Sequence, residues 1–219
     1  MSDAPNEADH WARAWLMALL DAAARAGLTP LSQATIHHLA FLANVLAPTY
    51  GLPVETGLVT RWKRGPYSPE LQWDLDRLSI MGLATIVSVG PVSDRGKWFV
   101  ARYGLGPLAP TFLERSRAVG SLARVHRFHC ELLTAFASLA PTLRGAVVDQ
   151  DATYANTVDG DLGESETVID FAEWRNRNYT QRASATLETH LGGITVDPRR
   201  RVHVYLRYLA RRTAKARAS

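Results

Sequence analysis

The stretch Arg64-Gly65-Pro66-Tyr67-Ser68-Pro69-Glu70-Leu71 decides how this chain is read. Gly-Pro followed by Ser-Pro is turn chemistry, and Ser68-Pro69 also supplies a helix cap with proline at the first helical position. The turn is therefore expected to start a helix from Pro69 to about Met81. Leu71, Leu75 and Leu78 share one face of it, and Gly82 can take the left-handed conformation that closes it. Next come two β-prone runs, Leu83–Val89 and Lys97–Tyr103, separated by Gly90-Pro91-Val92-Ser93-Asp94-Arg95-Gly96, which is a hairpin pattern.

Upstream of the turn, Val59–Arg64 follows a loop containing Tyr50, Gly51 and Pro53. Ile36, Leu39, Ala40, Ala43 and Leu46 form the buried stripe of an earlier helix ending before Pro48, with Thr29-Pro30 expected as its cap and first residue. Trp11, Trp15, Leu19 and Ala22 recur at helical spacing between Asp9 and Ala26, and Gly27 offers a stop. Helix, turn, helix and two-stranded hairpin is the order of a winged helix, so residues 1–107 are read as a winged-helix domain with N-terminal helices. Residues 108–219 read as a helical domain: Thr111–Leu139, a looser acidic stretch Pro141–Ser165, Glu166–Leu191, then a basic helix from Asp197-Pro198 to about Ala216. The expected fold class is mainly α with a small β-hairpin.

A chain of 219 residues suits one two-part domain or two small ones. Apolar residues at 47% and charged residues at 21% exclude a wholly disordered or low-complexity polymer. The single cysteine, Cys130, excludes an intrachain disulfide framework and points to a reducing compartment, with cytoplasm as the expectation. Asp3, Glu7 and Asp9 precede the first apolar stretch, which Arg13, Asp21 and Arg25 interrupt; a secretory signal does not fit. The uncharged run Ala26–Val54 is broken by Pro30, Pro48 and Pro53 and wetted by Gln33, His37, His38 and Asn44, so no membrane span is expected.

Catalytic constellations are not found. Gly90–Lys97 has one residue too many between its glycines for a phosphate-binding loop, and Trp98 stands where a hydroxyl is needed. His126, His129 and Cys130 share a helical face at i, i+3 and i+4, but three ligands with no evident fourth read better as a half-buried face than as a metal site. Adjacent His37 and His38 point to different helix sides and cannot hold one ion together. Asp159, Asp161, Glu164 and Glu166 lack the ligand spacing of a calcium loop and read as a solvated charged loop. With no nucleophile elbow and no His-Glu-x-x-His, the chain is read as non-enzymatic, with no catalytic, cofactor-binding or metal-binding residue assigned.

Charge is partitioned along the chain. Ile194–Ser219 carries eight basic residues against Asp197, a balance of +7, so the rest of this +4 chain sums to −3. Asp149–Glu173 holds eight acids and no Lys or Arg. At about 100° per residue with Leu71 at zero, Trp73, Ile80 and Arg77 fall at about 200°, 180° and 240°, opposite the leucines. With Glu70, Asp74 and Asp76 against Arg77, this helix suits a DNA groove poorly. Trp73, Arg77 and Ile80 are instead the residue types of a protein-binding face, unless Trp73 packs under a neighbouring domain. On the last helix Val202, Leu206, Leu209 and Tyr205 share one side, while Arg200, Arg207, Arg211 and Lys215 form a cationic stripe. The stripe fits nucleic-acid phosphates, an acidic protein surface, the chain's own acidic block, or plain solvation.

Three runs then bear a family resemblance: Ile36-His37-His38-Leu39-Ala40-Phe41-Leu42-Ala43-Asn44, Arg64–Leu71, and Asp74-Leu75-Asp76-Arg77-Leu78 with Gly82-Leu83. Over about Gln33–Tyr103 the chain resembles the middle component of ABC-three-component systems, which include the accessory subunit of Lamassu-type bacterial anti-phage defence. Similar Gly-Pro-Tyr/Phe-Ser turns occur in the Panacea antitoxin domain. The first resemblance implies a small non-catalytic subunit that couples an SMC-like ATPase to an effector, often a nuclease. Its winged helix would engage a partner as kleisin-type subunits engage SMC heads. Gly65, Pro66, Tyr67 and Ser68 match the family turn, where their implied role is structural.

Overall fold

The computed structural model describes residues 7–54, 57–62, 65–91, 99–156, 168–171, 178–190 and 197–218. It is mainly helical with two small antiparallel sheets. Helix α1 (Glu7–Arg25) buries Trp15, Leu16, Leu19 and Leu20 and ends at Gly27, whose φ is +69°. Helix α2 (Gln33–Leu46) lies deepest: every residue from Ile36 to Leu46 is buried, His37 and His38 included. Its cap is Ser32, whose Oγ accepts the Thr35 N–H at 3.1 Å, and not Thr29 as the Thr-Pro pair implied. Leu31 and Ser32 form a short strand, β1, paired with the later hairpin, and this places the helix start at Gln33, beyond Pro30.

Strand β2 (Leu58–Trp62) pairs with β3 (Gly65–Tyr67), so Gly65-Pro66-Tyr67, read as a turn, is extended chain hydrogen-bonded in a sheet. Pro66 is tolerated because β3 is an edge strand. Helix α3 (Pro69–Ile80) begins where expected: Ser68 Oγ accepts the Leu71 N–H, and Leu71, Leu75 and Leu78 are buried. Gly82, with φ of +70°, ends it. The hairpin β4 (Ala84–Pro91) and β5 (Phe99–Leu105) follows, and with β1 it makes a sheet in the order β1-β5-β4.

The single helix expected over Thr111–Leu139 is two, α4 (Ala109–Arg117) and α5 (Gly120–Ala137), divided where Val119 turns extended ahead of Gly120. The stretch read as loose contains α6 (Pro141–Arg144) and α7 (Ala152–Asn156). The helix expected over Glu166–Leu191 is a second correction. Val168–Asp170 is a strand, β6, antiparallel to β2, because Ile169 is buried there and β-branched residues suit a sheet; helix α8 starts only at Tyr179 and runs to His190. Helix α9 (Pro198–Ala218) matches the expected final helix. Residues on both sides of position 107 feed one hydrophobic core: Leu16, Leu39 and Leu75 belong to the same cluster as Phe128, Leu132 and Leu206.

One acid of the Asp149–Glu173 block, Asp151, lies in the interior. It is fully buried and caps α7, accepting from the N–H groups of Thr153 (2.9 Å) and Tyr154 (3.1 Å), from Thr180 Oγ1 on α8 and from Tyr205 Oη on α9 at 2.9 Å. Burial pushes its carboxyl above the usual range, against those hydrogen bonds. Asp151→Ala strands four buried donors, so urea unfolding should show a loss of about 3–5 kcal/mol, whereas Asp151→Asn, which keeps one acceptor and removes the buried charge, should lose less than half of that.

Candidate functional site

The runs Ile36–Asn44 and Arg64–Leu71 meet in space through His37 and Ser68. His37 on α2 faces the start of α3: its Nδ1 accepts the Ser68 N–H at 3.2 Å, which leaves the neutral ring with its proton on Nε2, 3.3 Å from Gln72 Oε1. Gln72 Oε1 also accepts from Gln33 Nε2, and Gln72 Nε2 donates to Asp76. The Tyr67 ring lies against His37 with centroids 4.7 Å apart. Burial pushes the His37 pKa down to about 4, so it stays the neutral acceptor that Ser68 needs.

His38, one residue on, packs against Gly65. A Cβ there would lie 2.1 Å from His38 Nε2, and the φ of +114° already disfavours a side chain. The adjacent histidines, expected on different helix sides, both meet the Gly65–Ser68 segment. Behind it His37, Phe41, Asn44, Val59, Pro66 and Leu71 line a cavity with room for about one water molecule. This clasp fixes where α3 begins and so which of its faces looks outward.

That outward face holds Trp73, 66% exposed, Ile80, 87% exposed, and Arg77 between them. The Arg77 guanidinium lies 5.7 Å from the Trp73 ring centroid. Asp74 binds Arg13 Nε on α1 at 2.9 Å, both partners largely buried, and the same oxygen lies 3.9 Å from Arg77 Nη1. The outward row is thus less acidic than a count of α3 implies. Exposed Met81, Ile86, Val87, Val89 and Phe99 extend the apolar surface onto the hairpin, which the alternation of the strands did not signal.

The remaining candidates sort by geometry. On α9, Val202, Tyr205, Leu206 and Leu209 are buried while Arg200, Arg207, Arg211 and Lys215 are exposed. Of His126, His129 and Cys130 the structure brings two together, with Cys130 Sγ 3.8 Å from His126 Nε2, while His129 points elsewhere. His126 Nε2 meets Asp21 Oδ2, which Arg25 and Arg117 also bind at 2.8 and 2.7 Å; burial works against the Asp21 charge, and these three partners hold its carboxyl below the usual range. His129 points into the core, edge-on to Trp15 at 4.7 Å, with neither ring nitrogen hydrogen-bonded. Burial pushes the half-buried Cys130 thiol up, away from reactive thiolate. Asp159, Asp161, Glu164 and Glu166 lie outside the described residues, as do Lys97 and Trp98. Among the described residues no group of three His, Cys, Asp or Glu is placed to hold a metal ion, and no helix is long and apolar enough to cross a membrane.

No protein-family model, curated protein or solved structure matches this chain.

Two predictions follow from the buried imidazoles and the clasp. Burial lowers His129 to about 3 and His37 to about 4, both below the ordinary 6.5. The unfolded chain then binds more protons, so stability is complete above pH 6.5 and falls as pH drops toward 3. His129→Leu should remove about one proton from the pH slope of unfolding over that window, measured by urea titration, and should raise stability at neutral pH. Gly65→Ala should lose at least about 3 kcal/mol, whereas Gly51→Ala, with φ of +68° but nothing within 4 Å of the added carbon, should lose only about 1 kcal/mol.

Proposed function

We propose that this chain is a non-catalytic adaptor that docks another protein through the outward face of α3. The observation that carries the reading is the row Trp73, Arg77 and Ile80, one helical face about 10 Å long that sets a large exposed aromatic beside an arginine and an aliphatic. Such residues bind proteins by burying aromatic surface around a directed guanidinium. In this reading residues 1–107 form a winged helix. In its support, α1, β1, α2, α3, β4 and β5 follow one another with β1 paired to β5 and β5 to β4, and β2–β3 is a further hairpin ahead of α3.

The partner proposed is an SMC/Rad50-like ABC ATPase, with the adaptor coupling it to an effector nuclease in bacterial anti-phage or anti-plasmid defence in the cytoplasm. This assignment rests on the resemblance of residues 33–103, in which the first two quoted runs form the His37–Ser68 clasp. The same turn supports a second reading, a Panacea-type antitoxin that uses this surface to neutralise a small toxin. A regulator reading DNA with α3 is disfavoured because exposed Glu70 and Asp76 would face phosphates.

The reading expects a coiled-coil ATPase to be encoded beside the chain, and co-expression with it tests the proposal. Trp73→Ala with Arg77→Ala should reduce ATPase recovery at least tenfold while leaving the circular dichroism unchanged. Undiminished recovery would reject α3 as the docking helix, and capture of a small toxin in place of an ATPase would favour the second reading.

A further inference from the structure

Helices α5 and α9 together carry nine arginines and one lysine against a single acid, Glu131, so these two helices hold a balance of +9 in a chain of net +4. Along the chain the α9 stripe stands alone; packing joins a second helix to it. Glu131 on α5 lies 3.7 Å from both Arg199 Nε and His203 Nε2, one turn apart at the start of α9. Arg124 and Arg127 stand seven and four residues before Glu131, on the same side of α5, and both are exposed. At about 100° per residue, the α9 side that meets Glu131 adjoins the side bearing Arg200, Arg207 and Arg211. The cationic surface therefore runs from Arg124 and Arg127 across the Glu131 contact and along α9.

We propose that this α5–α9 surface binds the phosphate backbone of duplex DNA without reading its sequence. The charge sign fits a polyanion, and nine of the ten cations are arginines, whose planar fork matches phosphate oxygens. Arg200 to Arg211 spans about 16 Å of helix, enough to face several phosphates. Stacked bases are not the target, because the aromatics of these helices are withheld. Phe128, Phe136 and Tyr205 are buried, and Tyr208 is half-buried with the Arg212 guanidinium 5.8 Å from its ring centroid. Nor does the acid nearest α9 on its buried side draw on the stripe, since Asp151 binds Tyr205 there. The surface is separate from α3, and the inference stands whether or not α3 docks a protein.

Fluorescence anisotropy of a labelled duplex of about 30 base pairs with the full chain, across about 50–300 mM salt, tests this. The logarithm of the binding constant should fall steeply against the logarithm of salt. Arg124→Gln with Arg127→Gln should flatten that slope by about 2, and Arg200→Gln with Arg207→Gln and Arg211→Gln by about 3, with little dependence on duplex sequence. All five positions are exposed, so the fold should survive, and ATPase recovery through α3 should be unchanged. An unaltered slope in the α5 pair, retention on immobilised poly-L-glutamate as firm as on duplex, or tighter binding to single strands would overturn the proposal.

Discussion

His37 is the constraint on which the functional geometry depends. Both nitrogens of this buried imidazole are met, by the Ser68 N–H on one side and Gln72 on the other. Meeting both fixes the start of α3 against the middle of α2, the most buried element of the chain. His38 adds a steric condition through its approach to Gly65, and Tyr67 closes over the His37 ring. Once α3 is held at that angle, its leucines reach the core and Trp73, Arg77 and Ile80 have nowhere to go but outward.

Polar joints of the same kind hold the rest. Asp21 gathers Arg25, Arg117 and His126, tying α1 to α4 and α5. Asp151 gathers α7, α8 and α9 around one carboxylate, so the basic helix is anchored on its buried side by Tyr205 and left cationic on the other. Arg13 and Asp74 add a largely buried ion pair between α1 and α3. Each joint consumes charge that a linear count would have assigned to the surface. The electrostatic character of the exposed face of α3 therefore differs from the composition of its helix, with Asp74 drawn to Arg13.

Much of this was legible from residues alone. Ser68-Pro69 announced α3, the leucine spacing announced its buried face, and Val202, Leu206 and Leu209 announced that of α9, because caps and helical periodicity are local physics. The misreadings lie where tertiary pairing decides. Gly65-Pro66-Tyr67 became a strand only because β2 lies beside it, and Val168–Asp170 left the expected helix for the far edge of that same strand. Thr29-Pro30 mimicked a cap that Ser32 supplies. Asp151 had a local signal, an Asp two residues before a threonine at a helix start, submerged in the charge of the acidic block; Asn178 repeats the pattern beyond that block by accepting the Gln181 N–H. That Arg124 and Arg127 adjoin the α9 stripe depends on helix packing and had no signal along the chain.

The central claim is that the outward side of α3 is a protein-binding face. A photo-crosslinking amino acid placed at position 73 in living cells tests it most directly, with the adducts read by mass spectrometry. The account expects crosslinks to a separate polypeptide, concentrated on the head of a coiled-coil ATPase. Crosslinks confined to this chain's own residues, or to nucleic acid, would contradict it.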